Sequence, residues 1–165
     1  MSNPARTMAD VRQPVVVFQV GMRINRLRSL RRWVPAFTAM PRMLRELATN
    51  PELGMLGAKT YLSGRTIMVA TYWRSFEALE AYARAAESAH RPAWTAFYRR
   101  SSASAGAVGI FHETYLVAPG TVESLYVDMP AGFGLGGAVG SVPVGGSLET
   151  ARGRRDRDAS AAGSG

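Results

Sequence analysis

The apolar positions of this chain change period several times, and each change marks an element. Residues 14–22, "PVVVFQVGM", form a charge-free β-branched run that predicts a strand covered on both faces. From Trp33 to Asn50, Phe37, Met40, Leu44 and Leu47 recur at helical spacing, with Ser29 ahead of them as N-cap. Pro35 reads as a first-turn residue of that helix and Pro41 as a kink. "MLGAKTYL" (55–62) and "RTIMVATYW" (65–73) read as strands joined at Ser63-Gly64, a two-residue hairpin signal. The stretch "SFEALEAYARAAESAH" places Phe76, Leu79, Ala83, Ala86 and His90 on one helical stripe. Pro92 interrupts it, and "PAWTAFYRR" starts a second short helical segment. Strand periodicity returns in "VGIFHETYLV" (108–117), and "TVESLYVDM" (121–129) is a candidate further strand.

The resulting order, βαββαβ, predicts an α+β fold with a ferredoxin-like unit over residues 14–129. Residues 1–13 show no periodicity and are expected to be a flexible arm. Residues 130–149 form a Gly-rich extension. Residues 150–165, "TARGRRDRDASAAGSG", are expected to be a disordered tail whose removal leaves melting unchanged.

Alternation along 108–117 puts Ile110, His112, Thr114 and Leu116 on one face and Phe111, Glu113, Tyr115 and Val117 on the other. His112 and Glu113 therefore cannot form a direct couple. One face of the sheet would meet the helices and enclose a small-molecule cavity; the other needs a separate cover. A second subunit's sheet is the natural cover, so a homodimer paired sheet to sheet is expected.

Composition narrows the chemistry. With 165 residues and 47% hydrophobic content, one domain with its own core is expected. The absence of cysteine excludes disulfides, thiolate metal sites and cysteine nucleophiles. The start has no apolar core of a signal peptide, and no run of about 18 apolar residues occurs. A cytoplasmic protein with no membrane partner is the resulting expectation.

The net charge of +8 is unevenly placed. Residues 1–32 carry seven arginines against Asp10, residues 150–165 four arginines against two aspartates, and residues 33–149 nine basic against nine acidic side chains. A neutral body without the aromatic pattern of an RNA-binding strand argues against nucleic acid as a partner. The arginines at 23, 26, 28, 31 and 32 are most simply a solvated face, with a substrate carboxylate or phosphate at the following helix start as the sharper reading.

"GFGLGG" satisfies G-x-G-x-x-G, but Pro130 precedes it and no helix pattern follows, which argues against a dinucleotide site. The two histidines, 22 residues apart on different elements, make no metal set, and the G-x-S-x-G elbow of a serine hydrolase is missing.

His112 and His90 remain as titratable candidates. Each has a plain alternative: His112 as a core histidine satisfied by one hydrogen bond, His90 as a helix C-terminal histidine favoured by the macrodipole. Trp33, Phe37, Met40, Trp73 and Trp94 offer apolar walls around them. A dry pocket holding an imidazole can transfer protons near neutral pH.

The order βαββαβ, a sheet face needing a partner and "YWRSFEALEAYARAAESAHRPAW" together resemble the antibiotic-biosynthesis-type monooxygenase superfamily of dimeric α+β barrels. "GIFHETYLV" and "LYVDMPAGFGLG" are similar to its small monooxygenase-like branch, related to the monooxygenase of the fumagillin pathway. The resemblance covers residues 14–146 and implies a homodimer with a pocket for an apolar polyketide- or terpenoid-type metabolite. It implies a cofactor-independent monooxygenase-like tailoring enzyme of secondary metabolism, with His112 as general base, Trp94 or Tyr115 as donor, and Trp33, Phe37, Met40, Trp73 and Thr114 in the substrate pocket. The alternative it carries is a haem enzyme of dehydratase or haem-oxygenase type with His90 as axial ligand. The asparagine that accompanies that ligand on the first strand in haem-degrading relatives is replaced here by Gln19. A non-catalytic ligand-binding barrel is the third class.

Overall fold

The computed structural model describes residues 5–84 and 106–162; the side chains of several residues in the first helix, Phe37 and Met40 among them, stand outside that description. Strand β1 (Arg6–Ala9) is followed by β2 (Val15–Ile24), helix α1 (Leu30–Thr49), β3 (Met55–Ser63), β4 (Thr66–Trp73) and α2 (Phe76–Arg84). After residues 85–105 come β5 (Val108–Val117), β6 (Tyr126–Val127), α3 (Gly134–Val139), β7 (Ser141–Pro143) and α4 (Ala151–Ala162).

Strands β2 to β5 form one antiparallel sheet in the order β3-β4-β2-β5, the ferredoxin-like arrangement expected from the sequence. The β3–β4 hairpin turns at Gly64, whose φ of 55° suits glycine. Helix α1 starts at Leu30 with Ser29 as N-cap, so Pro35 lies inside the helix rather than in its first turn. The helix continues past Pro41 to Thr49.

One face of the sheet meets α1 and α2. Val16 and Trp73 are buried there with Leu47, Leu79 and Tyr82. At the far end of the same face Met22, Ile24 and Val108 form a second cluster, capped by Trp33, Ile67 and Ile110.

The other face is where the structure departs from expectation. Val15, Tyr72, Val17 and Val117 on this face pack with Ala9, Val11, Leu135, Ala138 and Val139. The cover at this end is therefore the chain's own, and the segments expected to be an arm and an extension supply it. β1 pairs with β6 on one side and β7 on the other, forming a small sheet of its own. The six-residue α3 begins inside "GFGLGG", at Gly134, although no helix pattern was evident there. Its glycines serve close packing: a Cβ on Gly137 would collide with the Gly132 carbonyl, and one on Gly136 would lie 2.6 Å from Ser141 Oγ. Residues 121–129 contribute only the two-residue β6 rather than a full strand.

The tail expected to be disordered holds α4, and charge docks it. Arg154 is buried, pairs with Glu123, and its Nη1 donates to the Leu148 and Glu149 carbonyls at 2.9 and 3.0 Å. Arg157 Nη1 donates to Asp10 Oδ1 at 2.9 Å and to Asp158 Oδ1 at 3.0 Å, so one guanidinium bridges two carboxylates. Composition suggested disorder because few residues of α4 are apolar; its order comes from these pairings instead.

Three consequences can be measured. Arg154→Ala should cost about 2–3 kcal/mol, because Glu123 and two carbonyls lose their partner in a mostly dry site. Removing residues 150–165 should likewise lower the melting temperature, and denaturant melts of both variants check this. The third consequence concerns pH. Burial acts to raise the Asp10 carboxyl, but hydrogen bonds and charge from Arg12 and Arg157 outweigh it and lower the pKa. Asp10 thus adds stability above its unfolded pKa, lost as pH falls through the lower folded value. For Asp158, burial is the dominant effect and raises the pKa, so its ionised form costs stability above the folded pKa. Asp10→Asn should therefore lower the melting temperature more at neutral pH than Asp158→Asn; the reverse order would refute the assignment.

Candidate functional site

Strand register decides which side chains meet the helices. β2 pairs with β5 from Val15 opposite Val117 to Ile24 opposite Val108, which sets His112 opposite Val20 and Thr114 opposite Phe18. Val20 in turn lies opposite Val69, and Phe18 opposite Thr71. Cross-strand partners share a face, so Ile110, His112, Thr114 and Leu116 stand on the helix side. Glu113 and Tyr115 stand on the other, where the Tyr115 hydroxyl donates to Glu113. That hydrogen bond raises the Tyr115 pKa, and the phenol is turned away from His112.

Among the described residues, the helices cover the middle of the sheet but not its β5 edge. His112, Thr114 and Leu116 are exposed, Leu116 at 73%. The described residues thus form an open trough along β5. Its floor consists of Phe18, His112, Thr114 and Leu116, and the Phe18 ring centroid is 5.9 Å from that of His112 at a 39° tilt. An accessible imidazole on an apolar floor can accept a proton from a bound apolar molecule.

The other expected site residues are placed as follows. Trp73 is 2% exposed and lies on the same face but beneath the helices with Leu47, Leu79 and Tyr82, beside the floor rather than lining the trough. Its Nε1 donates to Thr71 Oγ1 at 2.8 Å, and Thr71 Oγ1 donates to the Phe18 carbonyl at 3.0 Å, so this polar pair holds the strand that carries Phe18. Trp33 packs at the end of the trough with Ile110, its Nε1 donating to the Leu27 carbonyl at 3.3 Å. Phe37 and Met40 lie on α1, but their side chains fall outside the described residues, as do His90 and Trp94 entirely. Gln19 lies opposite Glu113 on the face away from the helices.

Two residues that sequence patterns did not single out also matter. Phe18 is the ring nearest His112 among the described pairs, a contact that only the β2–β5 register creates. Tyr82 donates to Glu46 Oε2 at 3.1 Å, tying α2 to α1 above the sheet. Burial, reinforced by the Glu46 charge, raises the Tyr82 pKa, so the phenol keeps its proton and remains a donor. Among the described residues no three His, Cys, Asp or Glu side chains gather as a metal site, and no helix is long and apolar enough to cross a membrane.

Known proteins resemble this chain in sequence and in fold. Monooxygenase af470 of Aspergillus fumigatus is 30% identical over 124 residues, which span 69% of this chain and 42% of that protein. The chain thus corresponds to less than half of that relative's length. Among solved structures, aldoxime dehydratase superposes with a TM-score of 0.52 at 17% identity, covering 96% of this chain and 44% of its own, a likeness of fold. SnoaB, a cofactor-independent oxygenase from Streptomyces nogalater, gives a TM-score of 0.35 at 12% identity over 61% of this chain and 90% of its own. Residues 15–135, from the start of β2 into α3, match the family model described as Monooxygenase af470-like. The chain belongs to that family.

Proposed function

We propose that the protein is a small monooxygenase-like enzyme that oxidises an apolar polyketide- or terpenoid-type metabolite held along the β5 trough, with His112 as general base and no cofactor. The observation that carries this reading is the position of His112 on the helix side of the sheet, beside Phe18 and within reach of solvent. The family and its fungal member named as a monooxygenase support the reaction class. A phenol or an activated methylene would bind on the apolar floor and lose a proton to the imidazole. The resulting electron-rich anion would react with O₂. For a methylene substrate, one oxygen atom becomes the carbonyl and the other leaves as water with the two substrate hydrogens. An apolar molecule seated on the exposed floor would itself displace water from around the base, which favours this step.

A haem-bound alternative requires an axial imidazole. His112 is the imidazole on the described face, and His90 is the residue that the resemblance assigns to that role. An absorption spectrum separates the readings. The proposal expects no Soret band on titration with haem, and a Soret band that His90→Ala shifts would replace it.

We also propose that a second copy covers the part of the outer face left free by the extension, around Phe111, Glu113 and Gln19. Sedimentation should then give a dimer that Phe111→Glu dissociates, and a monomeric parent protein would refute this.

For the chemistry, oxygen uptake with polycyclic phenol probes such as naphthols is the measurement. His112→Gln should lower turnover by about 10²–10⁴-fold, the range for loss of a general base, with the melting curve unchanged. Undiminished turnover would remove His112 from the role.

A further inference from the structure

Asp10 and Glu46 bracket a stretch of the chain with no acidic residue, and the structure places four of its arginines at one end of the large sheet. Arg23 closes β2, Arg26 and Arg28 lie in the turn that follows, and Arg31 falls in the first turn of α1. Arg65, in the β3–β4 turn, joins them because its carbonyl accepts the Ile24 N–H at 2.9 Å. All five side chains are exposed. None of the ion pairs among the described residues includes any of them. Among the described residues, the segments that meet at this end, 21–34, 61–67 and 106–110, contain no Asp or Glu.

Two leucines protrude among these cations: Leu62 beside the hairpin turn is 74% exposed, and Leu27 is 52% exposed. The platform that carries Leu27 is built rather than loose. Asn25 and Arg26 N–H both donate to the Ala107 carbonyl, at 2.9 and 3.1 Å, and Ser29 N–H donates to the Arg26 carbonyl at 3.1 Å. Asn25 Nδ2 donates to the Gly106 carbonyl at 2.9 Å, and the Trp33 indole holds the Leu27 carbonyl. The backbone is thus pinned while Arg26, Leu27 and Arg28 point outward.

We propose that this end of the sheet is a peripheral docking surface for an anionic lipid bilayer, with Leu27 and Leu62 entering the headgroup region and the surrounding guanidiniums lying against its phosphates. Clustered cations next to a negatively charged membrane gain attraction charge by charge, and protruding apolar side chains add burial that a purely ionic partner would not supply. The residues that protrude beside the cations are leucines, not stacking rings, which favours lipid over single-stranded nucleic acid. No membrane partner was expected from the sequence, because no apolar run is long enough to span and the exposure of two leucines is a property of the folded surface. The surface also adjoins the trough. Trp33 and Ile110 pack against the same cluster of Met22, Ile24 and Val108, and His112 is the next residue of β5 on that face. An apolar molecule dissolved in the bilayer would meet the protein at the end of the channel that contains the imidazole. Docking itself does not rest on the proposed chemistry, and it is measured without turnover.

The test is co-sedimentation of the full chain with vesicles of phosphatidylcholine alone and of phosphatidylcholine mixed with phosphatidylglycerol. Binding is expected only to the mixed vesicles and should weaken as salt rises. Arg26→Glu with Arg28→Glu should lower partitioning by about a hundredfold or more, at roughly fivefold per unit charge. Arg26→Lys with Arg28→Lys should retain it. Leu62→Ser should lower partitioning about tenfold, with melting unchanged. Absence of binding to the mixed vesicles at low salt overturns the proposal. Binding that needs the arginines but ignores Leu27→Ser and Leu62→Ser also overturns it, and assigns the surface to a soluble acidic partner instead.

Discussion

Ten consecutive partners along β2 and β5, from Val15 opposite Val117 to Ile24 opposite Val108, fix the direction of every side chain on an edge strand. A slip of one residue would turn His112 and Thr114 to the outer face and bring Glu113 and Tyr115 to the helices. The helix face would then carry a carboxylate with its phenol donor in place of an imidazole. What resists the slip is apolar burial at both ends of the pairing. Val108 packs with Met22 and Ile24 on the helix side, while Val117 packs with Val15 and Val17 on the outer side. The position of His112 is therefore set by residues remote from it.

A second constraint is that a β-branched central strand such as β2 must be covered on both faces. The chain meets it unequally. α1 and α2 cover the centre of one face around Trp73, and β1, α3 and their neighbours cover one end of the other. Further along the outer face, Phe111 lies over Gly21, where a Cβ would come within 2.5 Å of the ring. The bare backbone of Gly21 lets this ring lie flat on the sheet, and the strip beyond it carries Gln19 and Glu113.

Much of this arrangement was legible in the sequence. Regular alternation in residues 108–117 located β5 to the residue, and helical spacing located α1 and α2, because in each case burial repeats with the period of the backbone. The face shared by Ile110, His112 and Thr114 followed from the same alternation, although only the register showed that it meets the helices. The remainder was hidden for physical reasons. Phe18 and His112 are distant in sequence and become neighbours through pairing alone. Trp73 looked like a pocket wall by residue type, yet its partner Thr71 draws the indole into the core. β1 and α4 escaped notice because neither has an apolar period of its own. One is a short strand held between β6 and β7, and the other is a helix whose buried groups are Arg154 and Asp158.

The Arg157–Asp10 pair joins side chains 147 residues apart in the chain. Asp10 must wait for 147 further residues to be synthesised before its partner exists. β1 waits similarly for Val142, its neighbour opposite Met8. The four-stranded sheet and its helices can pair first, since β5 ends at Val117. During that interval the outer face near Val15 and Tyr72 is bare, and the growing chain presents an apolar surface that chaperones recognise. Closure of the fold thus follows pairing of the large sheet, timed by the emergence of a helix that charge, rather than apolar burial, fastens into place.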